Sequence, residues 1–260
     1  MRKRFAVVAA ALVGLIGLTA VAGAAVVQVG KLRITVQSRI LPFKLPRQEP
    51  APIAVFLSGH VASATGEVPP QLRKMKVEVN RNGRLDYTGL PTCALAQIQP
   101  GPSDRAVANC GDALVGSGRF WASVIFPEQH PYPTRGRLLV FNGRRGDEPV
   151  LFAHIYAEQP VNTSFVITFA IKRIADGPYS TELSASLPQA LGDWGFVDRI
   201  KLTLRRKFTY RGMQRSFFNA ACPAPSGTRT TTYPLAFTTF YFAGSERISV
   251  PVTKSCRVKE

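Results

Sequence analysis

The sequence predicts an all-β fold, an antiparallel β-sandwich of two packed lobes carrying one short, disulfide-clipped helical insert. Three observations carry that expectation. Apolar and polar residues alternate with a two-residue period in many short runs, turn-forming residues separate the runs, and no amphipathic helix of useful length occurs.

The chain begins Met-Arg-Lys-Arg and continues without a charge from Phe5 to Gly30, with small residues at Ala20-Val21-Ala22 and Ala22-Gly23-Ala24. This is the pattern of an export signal over residues 1–25. The uncharged run is also long enough to span a bilayer, so an uncleaved N-terminal anchor is the competing reading. The segment is set aside from the fold. Lys31–Gln37 then alternates as a strand, and the proline-rich connector Leu41–Pro52 resists regular structure. Ile53–Val61 and Lys74–Val79 read as strands, the second ending at an Asn82-Gly83 turn signal.

Between Gly89 and Gly118 the pattern changes. Thr92 is placed to cap a short helix over Cys93–Gln99, and Ser103 a second over Asp104–Cys110 ended by Gly111. Arg119–Phe126 is again a strand, and Pro127–Pro133 is the best internal boundary. It divides residues 26–130, an N-terminal β lobe with the helical clip, from 131–260, a C-terminal sandwich lobe. Strands follow at Arg137–Phe141, Val150–Ala157, Phe165–Lys172 and Ser180–Leu187, with a turn at Asn142-Gly143 or a longer loop reaching Asp147.

Arg199–Phe218 holds the cleanest alternation. Ile200, Leu202, Leu204, Phe208 and Tyr210 fall on one face of a hairpin candidate; Lys201, Thr203, Arg205, Lys207, Thr209 and Arg211 fall on the other. Arg206 sits on the apolar side. It must reach out at a sheet rim or pair with an acid such as Asp193 or Asp198, or with an acidic ligand. Leu235–Phe242, a turn near Gly244-Ser245 and Arg247–Val252 complete the chain.

Four cysteines in an exported chain predict two disulfides. Of three formal pairings, Cys93–Cys110 and Cys222–Cys256 are preferred because each closes a local loop within one half of the chain. No Cys-x-x-Cys occurs, which argues against redox or zinc chemistry.

Gly89-Leu90-Pro91-Thr92-Cys93, followed by Asn109-Cys110 and Ala113-Leu114-Val115-Gly116-Ser117-Gly118, resembles the Gly-Leu-Pro-x-Cys and Cys-x-x-Ala-x-Val-Gly-x-Gly pattern of a group of exported actinobacterial β-rich proteins with no known activity. The resemblance implies an exported, disulfide-bonded β protein. It brings no catalytic residues with it.

The formal charge is +17, and losing Arg2, Lys3 and Arg4 with the leader lowers it by three to +14. Such a balance favours acidic partners, although it also serves solubility. Three histidines, His60, His130 and His154, show no metal-ligand spacing, and neither a cofactor nor a metal is expected. His154 shares a strand face with Phe152 and Tyr156, where a hydrogen-bonded core or rim histidine is the ordinary outcome. Ser58-Gly59-His60 lacks a nucleophile elbow and reads as a strand end. Gly116-Ser117-Gly118 and Gly143–Gly146 read as turns, not phosphate loops.

The expected function is a non-enzymatic, secreted or extracytoplasmic binding protein of the cell envelope. An anionic surface polymer or lipid headgroup would meet Lys201, Arg205, Arg206, Lys207 and Arg211; nucleic acid is not expected of an exported chain. The alternatives are a carrier of an apolar ligand in a cavity walled by Phe165, Phe169, Phe237 and Phe240, and an extracellular hydrolase with converging carboxylates or a Ser–His contact.

Overall fold

Side chains that alternate along each strand give every sheet an apolar and a polar face, and here nearly all the apolar faces turn toward one interior. The computed structural model describes residues 24–125, 130–160, 162–175, 177–187 and 195–259. Its first half contains β1 (Ala24–Val29), β2 (Leu32–Leu41), β3 (Lys44–Leu45), β4 (Ala51–Pro52), β5 (Ala54–Ser63), β6 (Leu72–Asn80), β7 (Gly83–Leu85), the helices α1 (Leu95–Ile98) and α2 (Ser103–Cys110), and β8 (Leu114–Val124). The second half contains β9 (Tyr132–Arg145), β10 (Glu148–Ala157), β11 (Thr163–Arg173), β12 (Tyr179–Ser186), β13 (Gly195–Leu204), β14 (Lys207–Tyr210), β15 (Met213–Ser216), β16 (Phe218–Ala220), β17 (Thr230–Phe242) and β18 (Arg247–Val258).

One curled sheet of 13 strands has the order β1-β2-β5-β13-β8-β9-β10-β11-β12-β6-β17-β18-β3, antiparallel except for the short β18–β3 pair. Its two ends meet. Leu32 and Ile34 of β2 pack with Phe242, Ile248 and Val250 of β17 and β18. The all-β class and the disulfide-clipped helical insert are as expected; in place of two packed sandwich sheets there is one large curled sheet whose ends pack on each other. The boundary expected near Pro127–Pro133 lies in the β8–β9 connection, of which residues 126–129 are outside the described residues. β8 and β9 pair across it, and β6 pairs with both β12 and β17, so one sheet takes strands from both sides.

The three-stranded sheet β4-β16-β7 and the β14–β15 ribbon close one end of the curl. Phe208, Phe217, Phe218 and Ala220 pack there against Val115, Val140 and Leu151, with the Cys222–Cys256 disulfide in the same cluster. The Arg199–Phe218 stretch is therefore two units. β13 keeps Ile200, Leu202 and Leu204 against the core, and the hairpin proper is β14–β15. Residues 1–23 of the expected export signal lie outside the described residues, and Ala24–Val29, at the end of the uncharged run, form β1 on the edge of the main sheet.

Leu138–Phe141 and Val150–Ile155 are nearly continuous apolar runs because β9 and β10 are covered on both faces. Leu138, Ile155 and Ile167 face inward. Leu139, Phe141, Phe152 and Val166 face outward beneath the clip formed by α1, α2 and Cys93–Cys110, whose Cα atoms are 5.6 Å apart. The expected caps are shifted: Pro102 precedes α2, Ser103 is already helical and buried, and Ala94 caps α1 while its N–H donates to Gln97 Oε1 at 2.8 Å. Asn142 and Gly143 do not turn; the turn lies at Gly146-Asp147, the longer alternative. The buried Asn142 side chain donates instead to the Pro91 carbonyl at 3.0 Å, and the Asn142 backbone carbonyl accepts from the Cys93 N–H at 2.9 Å. Gly143 leaves room for Cys93 and the Phe152 ring, since a Cβ there would overlap that ring. In the Gly-Leu-Pro segment, Gly89 has φ +81° and lies under the Tyr210 ring, which only glycine tolerates.

His154 is fully buried beneath this clip. Its Nε2–H donates to the Gly101 carbonyl at 3.1 Å, with Ser164 Oγ at 3.4 Å, and Nδ1 has no partner. Burial holds its pKa below the ordinary histidine value; the Gly101 hydrogen bond opposes this, and the nearby Arg137 charge adds to the depression. A folded-state pKa below the unfolded one means stability is intact above about pH 6.5 and is lost as pH falls from there toward the depressed value. Asp198, whose pKa burial raises, acts in the opposite sense in the more acidic carboxylate range. Urea midpoints should therefore fall between pH 7.5 and pH 5.5 for the native protein and change less for His154→Gln; equal slopes would remove His154 as the cause.

Candidate binding site

The strand register carries polar side chains from distant segments onto the outer face of β2, β5, β13, β8 and β9. Arg39, Phe56, Thr203 and Ser117 lie opposite one another in one row. The next row is Gln37, Ser58, Lys201, Arg119 and Arg137, and a third is Thr35, His60, Arg199, Trp121 and Arg135. Lys201, Arg119 and Arg137 are thus like charges on consecutive strands, an arrangement that weakens a sheet unless something offsets it. Arg137 is paired with Asp104. Among the described residues, Arg39, Arg119, Arg135 and Lys201 have no carboxylate within ion-pair distance.

These rows enclose a groove of about 580 Å³ whose lining includes Arg39, Phe56, Arg119, Trp121, Lys201 and Thr203, with no acid in it. Arg39 lies 4.7 Å from the Phe56 ring centre and Lys201 5.9 Å from that of Trp121. Such contacts contribute about 0.5–1 kcal/mol each at exposed positions and hold the cations over the groove. A second cleft of about 310 Å³ adjoins it, shares Arg119, and adds Arg135, Arg137, Tyr156 and Glu158. At the edge, a register shift between Val197 and Arg199 accommodates Asp198, whose Oδ2 accepts from Ser123 Oγ at 3.0 Å. Burial raises the Asp198 pKa; the Ser123 hydrogen bond and the charges of His60 and Arg199 oppose the rise.

Of the residues singled out in the sequence, Lys201 belongs to this groove. Arg205 is exposed just beyond β13, and Lys207 and Arg211 are exposed on the β14–β15 ribbon, Arg211 lying 5.2 Å from the Tyr210 ring centre. None of these three lines the groove. Arg206 does meet an acidic residue, Asp112: its Nη2 donates to the Asp112 carbonyl oxygen at 2.9 Å and stands 4.0 Å from the carboxylate. Of the acids named for it, Asp198 bonds Ser123, and Asp193 is outside the described residues. The sequence reading missed Arg39, Phe56, Arg119, Arg135 and Trp121. Each has the outward phase of its own strand, but only strand order brings them together.

Phe165, Phe169 and Phe240 face the packed interior, while Phe237 is on the other face beside Tyr179, 6.3 Å between ring centres. The four do not share a wall. Ser58 and His60 are neighbours on the outer face of β5 with no hydrogen bond between them, and the Ser164–His154 contact is a part-buried one at the fully buried His154 under the clip. No cluster of three or more potential metal ligands exists among the described residues. All four cysteines are paired, which suits an oxidising, extracytoplasmic compartment. No described helix is long and apolar enough to cross a membrane. Compared with protein-family models, curated proteins and solved structures, the chain matches none.

Proposed function

We propose that this chain is an exported, non-enzymatic binding protein of the cell envelope whose outer-face groove holds an anionic polymer. One observation carries the reading: Arg39, Arg119 and Lys201, from three separated strands, converge with Phe56 and Trp121 in a groove without an acid. Cations placed beside one another on a sheet at a cost in repulsion are offset by a ligand that supplies the missing charge. Residues such as Ser58, Ser117 and Thr203 add neutral hydrogen-bonding groups between them.

Retention on immobilised heparin or teichoic acid at low salt tests this. The native protein should bind, and Arg39→Gln/Arg119→Gln/Lys201→Gln should elute at markedly lower salt, whereas Lys207→Gln/Arg211→Gln should elute with the native protein. Failure of the native protein to bind either polymer at low salt would refute the reading. Binding confined to vesicles of anionic lipid would replace the polymer with a headgroup.

A further inference from the structure

We infer that the polymer is an acidic polysaccharide crossing the strands from Arg39 toward Arg137, with a sugar ring against Trp121. This inference rests on the proposed anionic-polymer site. Its first support is direction. The two clefts share Arg119, and from β2, which carries Arg39, to β10, which carries Tyr156, they cross five strand spacings or roughly 24 Å at about 4.8 Å each. The track therefore runs across the strands, not along β13.

Its second support is spacing. Lys201, Arg119 and Arg137 are direct partners on consecutive strands, so neighbouring cations stand roughly 4.8 Å apart at the backbone. An acidic polysaccharide laid across the strands therefore passes several of these long side chains, whose flexible stems let them reach acid groups on different sugars. Arg137 already has Asp104, which leaves Lys201 and Arg119 as the uncompensated pair at the centre.

Its third support is chemistry. A polymer of phosphates alone would need only cations. The groove also offers Trp121 and Phe56, and hydroxyl or amide groups on Gln37, Ser58, Ser117 and Thr203. The electron-rich face of an indole suits the C–H face of a sugar ring, and the neutral groups suit its hydroxyls. Glu158, the acid of the second cleft, offers acceptors that suit a sugar hydroxyl.

Calorimetry at low salt with oligogalacturonates of two to six units, their methyl esters and inorganic polyphosphate tests the inference. On the native protein, affinity for the acidic oligomers should rise with length until the roughly 24 Å track is filled, and methyl esterification should abolish it. Trp121→Ala should weaken the longest oligogalacturonate at least about tenfold and polyphosphate less than about twofold, with circular dichroism confirming the fold. The length series needs no substitution and stands if Trp121→Ala does not fold. Polyphosphate binding as tight as the oligogalacturonate, or oligogalacturonate binding indifferent to length, overturns the inference and leaves the polyanion site standing. No binding of any anionic probe overturns both.

Discussion

Replacing Cys222 and Cys256 by serine is expected to lower the stability of the folded protein by about 3–4 kcal/mol, and the melting temperature by about 10 °C. The bridge spans 34 residues, so opening it returns more freedom to the unfolded chain than opening Cys93–Cys110, which spans 17 and should cost about 3 kcal/mol. Location widens the difference. Cys222 is wholly buried in the main core cluster beside Phe217 and Val252, and serine there leaves hydroxyls among apolar side chains. The Cys222 N–H also donates to the Pro46 carbonyl at 2.8 Å, which ties the proline-rich connector to the same end of the curl. Cys93–Cys110 tethers only the clip on the outer face of β9–β11. Urea midpoints of the two double variants should rank in that order; a larger loss on opening Cys93–Cys110 would make the clip the main organiser of the fold.

Gly118→Ala is expected to destabilise the molecule by about 3 kcal/mol. A Cβ at this position would lie well inside contact distance of the Lys201 carbonyl oxygen and 2.9 Å from Leu202 Cα. Neither atom belongs to a flexible side-chain tip, so β8 and β13 must separate. Gly116, two residues earlier, is similarly confined: its Cβ would overlap the Leu204 side chain and approach the Thr203 carbonyl oxygen to 3.0 Å. The glycines of the Val-Gly-x-Gly pattern thus mark the close seam that carries Lys201 and Arg119, and are neither a turn nor a phosphate loop. Thermal denaturation should show Gly118→Ala well below Ser117→Ala, whose exposed side chain leaves the seam untouched. Equal midpoints would mean that the seam opens without cost.

Much of the fold was legible because burial imposes period two on a strand. Leu32 and Ile34, or Ile200, Leu202 and Leu204, announce their inner face whatever strand lies beside them. Local loop closure was enough to choose the cysteine pairs. What the sequence did not expose was long-range order. β13 inserts between β5 and β8, elements 70 or more residues earlier in the chain, and no local pattern encodes that placement. The site was consequently sought along one strand, where Lys201 alternates with Arg205 and Lys207. The observed chain leaves its straight course after Leu204, and Arg206 anchors the break through Asp112. Asn142-Gly143 misled for a related reason: the pair favours a turn in isolation, but here both residues serve the clip lying over β9.

The salt dependence of polyanion binding reports most closely on the groove, because every cation that meets a polymer charge contributes to the slope of log K against log salt. For the native protein the affinity should fall steeply with salt. In Arg39→Gln/Arg119→Gln/Lys201→Gln the slope should be smaller by about two to three, at 0.7–0.9 for each charge removed. An unchanged slope in that variant, with the loss appearing instead in Arg205→Gln/Lys207→Gln/Arg211→Gln, would contradict the account and return the site to the β14–β15 end of the molecule.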